Sequence, residues 1–170
     1  MNPPPILVVM GVSGCGKSTV GAALAQALRV EFVEGDAFHP PENVARMAAG
    51  VALTDADRAP WLRALAAHIT QAASRGVVVS CSALKRSYRD VLRSDHAVRF
   101  IWLDAPRAHL EARMATRTGH YMPASLLASQ LATLEPPQPD EGAVRVDASR
   151  PVDTIVAEAL AQLGLTPASP

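Results

Sequence analysis

Short apolar, β-branched runs alternate along the chain with longer stretches whose apolar positions recur at helical spacing. Ile6–Met10 reads as a buried strand and Lys17–Leu28 as a helix. Val30–Glu34 reads as a second strand, and Pro41–Ala49 as a helix closed by Gly50. Thr54 and Asp57 form a Thr-x-x-Asp start signal, with Pro60 early in a long helix that runs to Arg75 and stops at Gly76. Val77–Ser80 is a third strand, Lys85–Ser94 a helix, Val98–Leu103 a fourth strand and Pro106–Arg117 a helix. A loop over Thr118–Pro123 leads into a helix over Ala124–Leu134. The stretch EPPQPDEG, 135–142, carries three prolines that remove donors and fix φ, so no regular structure is expected there. Ala143–Val146 is a weak fifth strand, Pro151–Leu163 a last helix, and the TPASP tail is expected to fray.

This alternation predicts an α/β fold: a three-layer, mostly parallel sheet of about five strands with helices on both faces. With 170 residues and 49% hydrophobic content, the chain is one domain with a real, largely aliphatic core. Sixteen Lys and Arg balance sixteen Asp and Glu, which argues against a general nucleic-acid or anionic-membrane binder. No run approaches the roughly 20 apolar residues that span a bilayer, and the MNPPP start lacks a signal-peptide shape. The two cysteines, Cys15 and Cys81, make neither metal spacing nor a disulfide framework. The expectation is a cytoplasmic protein.

Ligands of such sheets bind at the carboxyl ends of the strands. The first strand runs into Gly11-Val12-Ser13-Gly14-Cys15-Gly16-Lys17-Ser18-Thr19, which matches G-x-x-x-x-G-K-[ST] between a strand and a helix. Glycines let successive N–H groups turn inward on a phosphate, and the helix adds the positive end of its dipole. Lys17 can reach the β- and γ-phosphates and Ser18 can ligate Mg²⁺. ATP and Mg²⁺ are therefore the expected cofactors. Alkylation of Cys15 is expected to block the nucleotide.

The second strand ends in Glu34-Gly35-Asp36, followed by Ala37-Phe38-His39. Residues two apart share a strand face, so both carboxylates can point at the phosphate loop. One can hold Mg²⁺ through water; Asp36, nearer the exit, is the candidate to accept the proton of an attacking hydroxyl. The third strand ends in Ser80-Cys81-Ser82 with no carboxylate, which shifts the metal's outer shell to Glu34 and Asp36. His39 is either a substrate hydrogen bond or an ordinary turn residue. Arg58, Lys85, Arg86 and Arg89 stand near helix starts, against the dipole. Either an anionic substrate compensates them or Asp55, Asp57 and Asp90 do. Arg113 and Arg117 share one helix face and can reach a transferring phosphoryl if the following loop folds over it, or form an exposed pair.

The blocks GVSGCGKST, GDAFHPPENVARMAAGVALTDADRAPWL, CSALKRSYRDVLR and RTGHYMPASLLASQLATLE resemble the small bacterial-type gluconokinases, in the same order, from about Ile6 to Glu141. The resemblance implies a nucleoside-monophosphate-kinase-like P-loop fold with a lid at about 117–125. It also implies Mg²⁺-dependent phosphorylation of D-gluconate at its 6-hydroxyl by ATP, and a homodimer. By the same resemblance, Asp36, His39, Arg58, Lys85, Arg86, Arg89 and His120 look like acceptor-site residues. Arg113 and Arg117 look like lid residues, and Arg150 stands where related kinases hold the adenine. Glu34 replaces a commoner aspartate and Tyr121 a commoner phenylalanine; neither change removes a carboxylate or a ring. Shikimate kinase shares the loop and the paired carboxylates but does not predict the HP-x-x-N or ALKR-x-YR blocks. A GTPase would carry Asn-Lys-x-Asp, and neither Asn2 nor Asn43 is followed by lysine.

Overall fold

The structure is a computed structural model that describes residues 2–94, 96–116 and 125–170. In chain order the strands are β1 (Ile6–Met10), β2 (Glu31–Glu34), β3 (Val77–Ser80), β4 (Arg99–Asp104) and β5 (Val144–Asp147). The helices are α1 (Lys17–Leu28), α2 (Pro41–Ala48), α3 (Asp55–Ala72), α4 (Arg86–Arg93), α5 (Arg107–Thr116), α6 (Leu126–Thr133) and α7 (Val152–Leu163). The five strands form one parallel sheet in the order β2-β3-β1-β4-β5. A parallel strand with helices on both faces has no wet side, which is why β1 reads as an unbroken apolar run, β3 as one up to Ser80, and both are buried throughout. The connections from β1 and β3 leave in opposite directions across the sheet, so the switch point falls at the end of β1.

Two 3₁₀ turns lie outside the predicted elements. Gly35–Phe38 forms one directly after β2. Pro139–Glu141 forms the other, inside the proline-rich stretch expected to be irregular, because Gln138 and Glu141 cap each other. The expected fraying of the tail is also corrected, since Ala168 N donates to Ala27 O at 2.8 Å and docks the tail on the end of α1. The start signal of α3 is a full capping box: Asp57 N donates to Thr54 Oγ1 at 3.1 Å, and Thr54 N to Asp57 Oδ2 at 2.9 Å. Met47, Leu53 and Leu126 make a small apolar cluster apart from the main core, so the α2 arm is packed separately from the sheet.

Candidate active site

The loop after β1 curls because Gly11, Gly14 and Gly16 all adopt positive φ. At Gly14 a β-carbon would also meet Met114 Cγ at 2.9 Å and Leu110 O at 3.1 Å, so α5 is pressed against the loop. Lys17 Nζ donates to Val12 O at 3.1 Å and so lies across the loop. A cavity of about 250 Å³ opens above it, lined by Ser13, Gly14, Gly16, Lys17, Ser18, Thr19, Glu34, Asp36 and Arg113. Arg113 lies with both terminal guanidinium nitrogens 3.5 Å from where a Gly16 β-carbon would be, which puts it beside the loop. Cys15 is 1% exposed and its sulfur packs toward Gly11. The thiol faces the core and not the nucleotide cavity, as a small residue packed near backbone.

Glu34 closes one side of this cavity. Ser18 Oγ donates to Glu34 Oε2 at 2.5 Å, and Ser80 Oγ donates to Glu34 Oε1 at 2.6 Å. The serine at the end of β3, where a carboxylate was missed, thus orients the carboxylate of the neighbouring strand. This all-oxygen set of Ser18, Glu34 and Asp36 suits a small hard cation that keeps waters and takes phosphate oxygens.

A second, narrower pocket of about 30 Å³ adjoins the first. Its walls include Ser13, Lys17, Asp36, His39, Arg58, Trp61 and Gln130. Gly35 permits this arrangement, because a β-carbon there would lie 2.0 Å from Ser80 O. The indole of Trp61 donates to Gly35 O at 2.8 Å, which fixes the turn carrying Asp36. His39 stacks on Trp61 with ring centroids 4.0 Å apart. Burial, and secondly the charge of Arg58, push the His39 pKa down to about 4, so the ring is neutral. Asn43 Nδ2 lies 3.3 Å from His39 Nδ1 and can only donate, so Nδ1 accepts and Nε2 carries the proton. That Nε2 lies 3.9 Å from Asp36 Oδ1, too far for a direct hydrogen bond.

The basic set divides. Arg58 lines the pocket, and its Nη1 donates to the Tyr88 hydroxyl at 2.8 Å. The Tyr88 hydroxyl in turn donates to Asp55. Lys85, Arg86 and Arg89 do not line the pocket. Lys85 Nζ donates to both oxygens of Asp55, at 3.0 and 3.2 Å. Arg86 forms a two-pronged pair with Asp140 at 2.9 and 2.5 Å. Arg89 is 0% exposed and grips Glu141 at 2.7 and 3.0 Å, with Nη1 also donating to Ala83 O at 2.9 Å and Leu84 O at 3.3 Å. Its expected role as a substrate contact is corrected to that of a strut behind the turn from β3 to α4. The compensating carboxylates for Arg86 and Arg89 come from the segment after α6, not from the neighbouring aspartates considered above.

Arg150 borders a third cavity of about 550 Å³ with Asp104, Arg145, Asp147 and Ser149, and pairs with Asp147 at 3.8 Å and Glu158 at 3.2 Å. That cavity opens at the ends of β4 and β5. Arg117, His120 and Tyr121, and the lid expected at 117–125 apart from Ser125, lie outside the described residues. Sequence reasoning passed over Ser80 and Gln130, as it did Asn43, Trp61 and Tyr88. Ser80 carried no signal; Gln130 carried one, a polar residue on the apolar stripe of α6 formed with Leu126 and Leu127.

Comparison with known proteins places this geometry in a family. A profile described as shikimate kinase matches residues 13–161. The chain is 51% identical over 158 residues to a gluconokinase of Gluconobacter oxydans (strain 621H), covering 91% of this chain and 89% of the relative. A solved sugar kinase from Janibacter sp. HTCC2649 superposes with a TM-score of 0.91 at 48% identity, covering 96% of each chain. A gluconokinase from Sinorhizobium meliloti 1021 superposes with a TM-score of 0.84 at 52% identity, covering 96% of this chain and 94% of the other. With a phosphate loop, a carboxylate pair and an arginine-bearing pocket on a parallel sheet of order β2-β3-β1-β4-β5, and with relatives matched along nearly its whole length, the chain belongs to the gluconokinase family of P-loop kinases.

Proposed function

We propose that this protein transfers the γ-phosphoryl group of ATP to the 6-hydroxyl of D-gluconate, giving 6-phosphogluconate and ADP. The observation that carries the reading is a shared wall: Ser13, Lys17 and Asp36 line both the phosphate cavity and the pocket that holds Arg58. A donor phosphate and an acceptor hydroxyl therefore meet at one cation and one carboxylate. The activity named for the relatives supports gluconate as the acceptor.

Asp36 orients the primary hydroxyl and accepts its proton as the O–P bond forms and the bond to the leaving ADP oxygen breaks. Lys17 and Arg113 stabilise the charge on the transferring group. Arg58 faces the carboxylate of gluconate, and the Nε2–H of neutral His39 donates to a substrate oxygen. Arg117 and His120 belong to the same proposal as lid residues, and Arg150 as a border of the nucleotide-base cavity. Ser18, Glu34 and Asp36 would hold Mg²⁺ directly or through water. When bound, it neutralises phosphate charge.

The rest of the reading follows the resemblance: one kinase domain, a homodimer in the cytoplasm, acting on a small molecule and not on nucleic acid. The free, buried thiols of Cys15 and Cys81 agree with a reducing compartment. No helix among the described residues is long and apolar enough to cross a membrane. The test is ADP release from Mg·ATP with D-gluconate, shikimate, AMP or no acceptor. Stimulation by gluconate alone is expected. Stimulation by shikimate or AMP instead, or by none of them, overturns the assignment.

A further inference from the structure

Helix α6 buries Leu126 and Leu127 against the protein, and Gln130 sits on the same stripe at 8% exposure. Burying a carboxamide costs free energy unless it is hydrogen-bonded, and a leucine would fill that position without the cost. The reason for a glutamine lies across the site. Gln130 Oε1 accepts from the backbone N–H of Ser13 at 2.7 Å, over a sequence separation of 117 residues. Ser13 is itself 5% exposed and lies at the crown of the phosphate loop.

The position of Ser13 gives this hydrogen bond its meaning. Ser13 lines both the phosphate cavity and the acceptor pocket, and Gln130 lines the acceptor pocket only. The N–H of Ser13 is thus committed to the acceptor side. The nucleotide retains the N–H groups from Gly14 onward together with Lys17. A shift of the crown would leave most phosphate contacts in place but change the approach of the acceptor hydroxyl to the γ-phosphate. Displacements of about 1 Å in such an approach cost on the order of 100-fold in rate.

We propose that Gln130 is a positioning residue for phosphoryl transfer. By holding Ser13 N–H it sets the wall between the two pockets, and so the alignment of acceptor and donor, without contributing to nucleotide affinity. The proposal rests on the reading of the Arg58 pocket as the gluconate site. Gluconate turnover by the unaltered protein separates the two: if that is absent, the site reading fails before Gln130 is tested.

The test compares Gln130→Met, which keeps length and helix propensity but lacks a strong acceptor, with Gln130→Glu, which keeps an acceptor oxygen at the same reach. Measured are kcat at saturating gluconate, KM for gluconate, Kd for ATP by titration, and Tm. Gln130→Met is expected to lower kcat about 10- to 100-fold with Kd for ATP within about threefold. Gln130→Glu is expected to restore kcat to within about threefold of the unaltered protein, with a higher gluconate KM because a carboxylate now faces an anionic acceptor. The proposal is overturned if Gln130→Met turns over at the unaltered rate. It is equally overturned if ATP affinity falls as far as kcat, or if Gln130→Glu is as slow as Gln130→Met. Should Gln130→Met not fold, Gln130→Asn, one methylene too short to reach Ser13, carries the same comparison.

Discussion

Arg89 and Glu141 are both 0% exposed at the side chain, and cutting this pair distinguishes a strut from a substrate contact. Replacing Arg89 with leucine removes two hydrogen bonds to Glu141 and those to Ala83 O and Leu84 O. Glu141 is then left buried with Arg93 Nη2 at 2.9 Å and Gln138 N at 2.7 Å as its remaining donors. Breaking a buried pair from one side costs about 3–5 kcal/mol. At roughly 2–4 °C per kcal/mol for a chain of this length, Tm should fall by about 6–20 °C. Glu141→Leu should fall by a similar amount, because it leaves two guanidinium groups facing an empty site. The double variant Arg89→Leu/Glu141→Leu should lose less than the sum of the singles, with a coupling of about 2 kcal/mol or more in a denaturant-unfolding cycle. Gluconate KM should stay within about threefold in each folded variant. Additive single effects, or a large rise in gluconate KM for Arg89→Leu with an unchanged Tm, would refute the strut. The same pair sets an acid limit. Burial alone would raise the Glu141 pKa, but hydrogen bonds from Arg89, Gln138 N–H and Arg93 bring it down to about 2 from 4.5. The stability this contributes is complete above pH 4.5 and is lost as pH falls toward 2.

Asp36→Asn should lower kcat about 100-fold or more while Kd for ATP stays within about threefold; loss of ATP binding with surviving turnover would refute the acceptor role. The His39 ring should titrate with a midpoint of about 4 by ¹H–¹³C NMR, and a midpoint near the ordinary 6.5 would show that it is neither buried nor pressed by Arg58. Because its pKa is depressed in the folded state, His39 contributes stability present above pH 6.5 and lost as pH falls toward 4, which denaturation at a series of pH values will show. Tyr88→Phe removes the hydroxyl that accepts from Arg58 and donates to Asp55, a charge-assisted link worth about 1.5–3 kcal/mol. Gluconate KM should rise about 10-fold with KM for ATP unchanged, and equal effects on both substrates would refute the link. Gly35→Ala has no room beside Ser80 O and should destabilise by about 1–3 kcal/mol while slowing turnover; an unchanged Tm would contradict the close approach.

What the sequence made legible has a common physical basis: it is set by neighbours in the chain. The glycine-rich turn after an apolar strand and the Thr54–Asp57 box depend on local backbone geometry, whereas Asp36 reaches the cavity from the 3₁₀ turn after β2 and not from the strand face it was expected to share with Glu34. Arg89 shows where that basis ends. A cation near a helix start opposes the dipole, so it looked uncompensated and hence available to an anion. Its carboxylate partner lies 52 residues on, in a stretch read only as proline-rich and irregular. Ser80 looked like a missing carboxylate for the same reason, because β2 lies beside β3 in the sheet and Glu34 is supplied across a separation of 46 residues. In both cases the composition of charges was right and the pairing was not, since pairing is decided by strand order and loop return. Gln130 is the instructive exception. Its partner is the most remote of these three, yet its position was marked locally, as one polar residue on an otherwise apolar stripe. A stripe that tolerates a buried carboxamide implies a polar partner somewhere in the fold, because an unpaired one is costly. In a sheet whose ligands bind at the strand ends, that partner is to be sought among the loops there, the phosphate loop included. That inference can be drawn from polarity pattern and fold class together, though from neither alone.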